Sequence, residues 1–508
     1  MIFLLPIAEF CDKIYMSNFI GEYNAMKIVK KLFDFNLMDM DLSDSKQNGT
    51  VIYLYTLFWS LAFLLCVPIA CICSGEGWEI FYNFYLILIT PCSLITDYFN
   101  IGSMASTFLN AALCGIACNL MILYSRARAQ ARILAGYFLV IAHCFYGLNF
   151  LNMWPTVLGV YVYCKITHKR FAENVHTAMF STALAPFISD FLFRYTTNEN
   201  FVFGEPRITA AGVVFALLFG LAAGFAVPAL LPATTNMTRG FSLYKAGLAI
   251  GILGMFVYSF MYKTLGLSSP GPTVRNNPVY EQNSAVYTVF MNCFFITMFA
   301  LSVLFGFLLN KKSFQGYVKL LGSTGHGVDF IEDYGAPDSI INMGILGLCI
   351  VLFFNIIFIT PLGMTYTGAT AGVTIAAITF SASGKTPKNV WPIGVGYVLL
   401  NIVSYIIAGF AGVDLQLAST TQAYINSFAF ATGLCPFTGK YGWKIGIVAG
   451  MLNGIICTST SVLHGGFVLY NGGFTAGLTA MVLLPILDFY NVKQLDAPAK
   501  DGGQVSEK

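Results

Sequence analysis

Four ionisable side chains stand inside long apolar runs of this 508-residue chain: His143, His176, Asp190 and Lys245. A charge in hydrocarbon is costly, so each is a candidate for carrying a proton, an ion or a polar solute. His176 and Asp190 suit proton or ion coupling, although Asn426 and Lys440 stand at the matching places later in the chain. Asp190 also has a plainer reading, because Arg194 follows it one helical turn on. Two hydroxyl-rich stretches add to the list. Thr234-Thr235-Asn236-Met237-Thr238 leads into Gly240-Phe241-Ser242-Leu243-Tyr244-Lys245, and Thr458-Ser459-Thr460-Ser461 with His464 leads into Gly466-Phe467-Val468-Leu469-Tyr470-Asn471. Each reads as a polar break before a glycine-rich helix start, with free N–H groups and a positive dipole end. The expected solute-binding set is therefore Thr235, Asn236, Tyr244, Lys245, Ser459, Thr460, His464, Tyr470 and Asn471. The glycines Gly240, Gly247 and Gly251, like Gly466, Gly473 and Gly477, suit close helix packing equally well.

Signatures of covalent or metal chemistry are missing. There is no HExxH, GxSxG or Walker A sequence. The loop Gly325-His326-Gly327-Val328-Asp329-Phe330 has no Ser or Cys nucleophile arrangement beside it and reads as a structured connector. The thirteen cysteines make no CxxC or Cys/His cluster, so they read as small free thiols between helices. Neither a metal, nor another cofactor, nor an enzymatic activity is expected.

The elements that must position these residues are set by composition. Hydrophobic residues make up 57% of the chain and charged residues only 10%. A soluble domain carries about 25% charged residues, so this chain cannot cover a water-exposed globule of its size. A net charge of +3 gives no pull on polyanions and excludes a nucleic-acid binder. In a bilayer the backbone must satisfy itself as helix, at about 20 apolar residues per span. Breaks at polar and Gly/Pro clusters give about 13–15 membrane segments. Segments 151–166 and 363–384 are short or glycine-rich, and 79–99 is a candidate re-entrant segment. The expected layout is a polar appendage over 1–50, accessory membrane helices over 51–99, repeat A over 100–262, a linker over 263–338 with one extra helix at 286–309, repeat B over 339–490 and a tail over 491–508.

The repeats rest on four collinear motif pairs. Asn100-x-Gly102 recurs as Asn342-x-Gly344, and Asn152-x-Trp154-Pro155 as Asn389-x-Trp391-Pro392. Phe180-x-Thr182-x-Leu184-x-Pro186-Phe187 recurs as Phe430-x-Thr432-x-Leu434-x-Pro436-Phe437. Gly240-Phe241-x-Leu243-Tyr244-x-x-Gly247 recurs as Gly466-Phe467-x-Leu469-Tyr470-x-x-Gly473. An odd number of segments separates equivalent points, which predicts copies of opposite orientation. The loop bearing Lys385 and Lys388 is read as basic and cytoplasmic, and its counterpart 148–151 carries no charge. With Arg126, Arg128, Arg132, Lys165, Lys169, Arg170, Lys440 and Lys444 on the same side, the C-terminus is expected in the cytoplasm.

Trp154-Pro-Thr-Val-Leu-Gly-Val-Tyr, Thr182-Ala-Leu-Ala-Pro, Gly240-Phe-Ser-Leu-Tyr, Asn342-Met-Gly and Val462-Leu-His-Gly-Gly-Phe-Val-Leu-Tyr-Asn-Gly-Gly-Phe-Thr-Ala-Gly carry a family resemblance. From about Asp97 to Asp488 the chain resembles a family of mainly bacterial multi-pass membrane proteins catalogued as a domain of unknown function. That resemblance implies the architecture and no substrate. Lys245 stands where the second copy has Asn471. The expected fold is thus all-α, a polytopic transmembrane helix bundle of two inverted-topology repeats with some broken or re-entrant segments. The expected function is secondary transport of a small polar solute in the cell membrane, with the site between the repeats. A passive channel for a small neutral solute is the alternative, and a membrane-embedded enzyme with clustered acid and base side chains is the third reading. The expected partners are the lipid bilayer and an unidentified solute, with homo-oligomerisation left open.

Overall fold

The computed structural model describes residues 45–197, 201–275, 277–359, 365–415 and 421–495. Most of the N-terminal appendage and of the C-terminal tail lie outside the described residues. Within them the chain is all-α and polytopic, with nine helices long and apolar enough to cross a membrane. The elements are α1 (Ser45–Ser74), α2 (Glu79–Ile89), α3 (Tyr98–Ile101), α4 (Met104–Ser125), α5 (Ala131–His143), α6 (Trp154–Ile166), α7 (Val175–Ser181), α8 (Ala185–Asp190), α9 (Ala210–Thr238), α10 (Lys245–Tyr258) and α11 (Ser284–Leu309). They continue with α12 (Gln315–Leu320), α13 (Phe330–Tyr334), α14 (Ala336–Phe354), α15 (Gly368–Ile378), α16 (Pro387–Ala411), α17 (Gln422–Ala431), α18 (Cys435–Tyr441), α19 (Trp443–Leu463) and α20 (Asn471–Phe489).

Hydrogen bonds made in the first half recur in the second. Asn110 on α4 donates its amide to the carbonyls of Cys144 and Leu148, and Asn342 on α14 donates to those of Ser381 and Lys385. The Tyr98 N–H donates to Phe145 O, as the Phe330 N–H does to Ala382 O. Asn152 donates to Gly147 O, as Asn389 does to Gly384 O. These bonds correct one motif pair. The partner of Asn342 is Asn110, not Asn100, because only Asn110 ties the same helix to the same turn. Asn100 instead lies in the short α3 and holds Arg275 and Asn277 of the linker. The same register pairs Asp97 with Asp329, each accepting backbone N–H bonds at the start of a short helix.

Proline explains the next shared feature. Pro186 and Pro436 lack an N–H, and each helix tightens into a 3-10 turn, Thr182–Leu184 or Thr432–Leu434, just before them. Into each turn the chain ahead of a later helix is stitched: Leu243 N–H donates to Gly433 O, and Leu469 N–H to Ala183 O. Ring contacts follow the same rule, with Phe241 tilted against Phe437 and Phe467 stacked on Phe187, both at 4.9 Å between ring centres. Glycines set the close approaches. A Cβ on Gly224 would stand 2.8 Å from the Cα of Gly159, and one on Gly396 3.1 Å from the Cα of Gly450, so α6·α9 and α16·α19 pack backbone to backbone.

The accessory helix α1 is no outrigger. Its Tyr55, Trp59 and Phe63 are fully buried against Phe138, Phe294 and Phe299. Tyr55 also reaches the Ser302 hydroxyl of α11 at 2.8 Å. Between α2 and α3 the stretch 90–97 is not helical, and its Leu94 N–H donates to Gly466 O.

Candidate functional site

The two GF-x-LY-x-x-G motifs meet. A Cβ on Gly247 would lie 2.7 Å from the Cα of Gly473, so α10 and α20 cross at their own motif glycines. The contacts around this point are swapped between the helices. Gly251 faces Phe474, and Gly477 faces Leu248. From the crossing each helix runs back along the chain that precedes the other. Tyr258 packs on Gly465 ahead of α20, while Asp488 at the far end of α20 pairs with Arg239 ahead of α10 at 2.7 Å. The two helix starts therefore converge, and Tyr244 and Tyr470 sit immediately before them, both 1% exposed.

The surroundings of these tyrosines are polar in an unusual way. Tyr244 donates its hydroxyl to Ala376 O at 2.7 Å and lies 3.1 Å from the Thr379 hydroxyl. Lys385, 0% exposed, donates to the Tyr244 oxygen and to Ala377 O, each at 2.7 Å, with its ammonium 4.6 Å from the Tyr244 ring centre. At the matching place in the first half stands Leu148. The Tyr470 ring lies tilted against His143 at 4.9 Å, and the Tyr244 ring meets Phe380 edge to face at 4.7 Å. His143 also touches Tyr146 at 5.1 Å and Phe430 at 6.0 Å, and Phe430 touches Tyr244 at 5.1 Å, so the rings form one cluster. His143 sits between two carbonyl oxygens, Leu139 O at 2.6 Å and Leu469 O at 3.1 Å. Carbonyls only accept, so a neutral imidazole satisfies one of them and an imidazolium both. The hydroxyls of Tyr146 and Tyr470 are buried with no partner.

The expected site residues divide by position. Tyr244 and Tyr470 are central. Thr460, His464 and Asn471 form a local net beside them, with Thr460 2.7 Å from the Thr475 hydroxyl and His464 2.9 Å from Asn471 Oδ1. Asn236, Lys245 and Ser459 are exposed, and Thr235 is half-buried with its hydroxyl spent on Leu231 O. The two hydroxyl runs are not breaks. They lie inside α9 and α19, where Thr234, Thr235, Thr238, Thr460 and Ser461 bond to carbonyls three or four residues back. The breaks fall just after, at Arg239-Gly240 and Gly465-Gly466, all four with positive φ.

His176 is half-buried, its ring against Phe180 at 5.9 Å. Asp190 is fully buried, paired with Arg194 at 2.6 Å and accepting from the Tyr262 hydroxyl. A larger correction concerns Lys385. It belongs to no exposed cytoplasmic loop, and the basic loop is left with Lys388, which is exposed. Nothing in the sequence set Lys385 apart from Lys388, because both sit among small polar residues after a short apolar run.

Loops close over the crossing from two ends. His326 places Nε2 2.8 Å from Arg239 O and its ring 4.5 Å from Phe241, at the start of α10. In matching register, Leu94 of 90–97 bonds to Gly466, at the start of α20.

The family described as "Protein of unknown function (DUF1576)" matches residues 77–263 and again 309–489, most of the chain. The chain belongs to this family. No curated protein and no solved structure matches it. Membership in DUF1576, together with the nine long apolar helices among the described residues, makes this a multi-pass integral membrane protein.

Proposed function

We propose that this DUF1576 protein is a secondary transporter for a small polar solute, working in the cell membrane with its C-terminus in the cytoplasm, and not an enzyme. The observation that carries the reading is the closed polar cluster at the α10·α20 crossing. Tyr244, Tyr470, His143 and Lys385 gather there, and matching stretches, 90–97 and 321–329, cover the two helix starts. Swapped contacts of the Gly251–Phe474 and Gly477–Leu248 kind are what a two-fold relation produces. The helices leave the crossing in opposite directions, which supports two copies of inverted topology. The double match of one family supports the duplication itself. In such folds the solute site lies where broken helices from the two copies meet, and access alternates as one copy rocks against the other. Here the stretch at Leu94 and the stretch at His326 act as the two gates, released in turn.

Counterflow in proteoliposomes tests this. Vesicles preloaded with the solute should take up labelled solute against its gradient, with saturation. Linear, unsaturated flux without exchange would replace the transporter by a channel. No flux of any solute tried would remove the proposal.

A further inference from the structure

Lys385 is buried among groups that cannot neutralise it. Its ammonium has only two neutral oxygens, Tyr244 Oη and Ala377 O, and the face of the Tyr244 ring. Among the described residues no carboxylate pairs with it. The other acids inside the fold are engaged elsewhere: Asp190 with Arg194, Asp97 with the N–H groups of Phe99 and Gly368, and Asp338 with Asn310. A cation in hydrocarbon without a counter-charge is strongly disfavoured. Beside it the starts of α10 and α20 converge, adding two positive dipole ends. Tyr146 and Tyr470 bring hydroxyl donors that are fully buried and unpartnered in the same ring cluster. Lys385 and these two phenols thus offer one positive centre and two free O–H donors within one ring cluster.

We infer that the transported solute is an anion of the carboxylate class, held by Lys385 with the hydroxyls of Tyr146 and Tyr470 at the α10·α20 crossing. This rests on the transporter reading and narrows it. The carboxylate supplies the missing negative charge, accepts from the ammonium and leaves further lone pairs for the two phenols. Lys385 has no equivalent in the first half, where Leu148 stands, so the site is polarised toward the second half.

The probes are sodium salts of short mono- and dicarboxylates, with sodium chloride, urea, glycerol and methylammonium chloride as comparisons. Both thermal stability of the purified full chain and counterflow are read. At least one carboxylate should raise the melting temperature by several degrees and exchange at least tenfold faster than urea or glycerol. Lys385→Met should abolish both effects, and Lys385→Arg should keep the thermal shift. The inference falls if urea, glycerol or methylammonium exchanges and no carboxylate does. It falls equally if chloride alone gives the shift, or if Lys385→Met binds carboxylate like the wild type. Should Lys385→Met fail to fold, the wild-type panel decides by itself. A Lys385-dependent carboxylate shift without any flux would sink the transport reading and leave the anion site standing.

Discussion

The crossing of α10 and α20 makes a quantitative demand. In Gly247→Ala the new methyl would meet the Cα and C atoms of Gly473 at 2.7 Å and the Phe474 N at 3.0 Å. Carbon atoms rest at about 3.5–4.0 Å, so the helices must part by roughly 1 Å. All three obstacles are backbone, so no rotamer change relieves the clash. In Gly473→Ala the methyl meets Tyr244 Cβ at 3.0 Å and Gly247 Cα at 3.2 Å, a misfit about half as large. Overpacking of this kind costs about 1–3 kcal/mol. Gly247→Ala belongs near the upper end of that range and Gly473→Ala near the lower. The double variant should lose less than the two single losses added, because helices already parted for one methyl have room for the other. Gly409→Ala is the control: it lies in α16 with open space around it and should gain about 0.5–1 kcal/mol. Chemical denaturation in one detergent, with an unchanged slope for all four proteins, supplies the numbers. Equal losses at Gly247 and Gly473, or strict additivity in the double variant, would refute a backbone-to-backbone crossing.

Further outcomes follow from the same geometry. Asn110→Ala and Asn342→Ala each strand two buried carbonyls, so both should cost roughly 2–4 kcal/mol; a loss at one site alone would break their equivalence. Asp190→Leu leaves Arg194 inside the fold without its partner and should cost about 3–5 kcal/mol, whereas adding Arg194→Leu should recover most of it. Tyr244→Phe removes a donor to Ala376 O and the acceptor of Lys385, for a loss of about 1–2 kcal/mol. Tyr470→Phe discards only an unpartnered hydroxyl and should be neutral in stability while slowing counterflow. Should Tyr470→Phe transport at the wild-type rate, that hydroxyl touches no solute.

Much of the architecture is legible in the sequence because it rests on strong local signals. Low charge and apolar length give the membrane helices, and the Trp-Pro, Pro-Phe and Leu-Tyr pairs recur in the same order along the chain. Tyr244 and Tyr470 come out of those motifs directly, and both reach the centre. What fails is legible only in three dimensions. Asn110 and Asn342 share a role but almost no flanking residues, so Asn100-x-Gly102 offers a false match. The threonine and serine runs look like breaks because these residues compete for backbone bonds, yet inside a continuous helix they bond to carbonyls one turn back. Lys385 and Lys388 are indistinguishable by type and neighbours. Only the turn tied down by Asn342 draws Lys385 inward while Lys388 stays out.

The stitching of each half into the other also bears on how the chain is made. When α10 leaves the ribosome, the glycine face that will receive α20 has no neighbour, and the Gly433 carbonyl that Leu243 needs has not been synthesised. At about 5–20 residues per second the 226 residues from Gly247 to Gly473 take roughly 10–45 s to translate. Throughout that delay α10 must rest in lipid as an unfinished surface, vulnerable to quality-control proteases and to pairing with the wrong nascent helix. Two separately translated halves would face the same wait, and co-expressing them should rescue each from degradation.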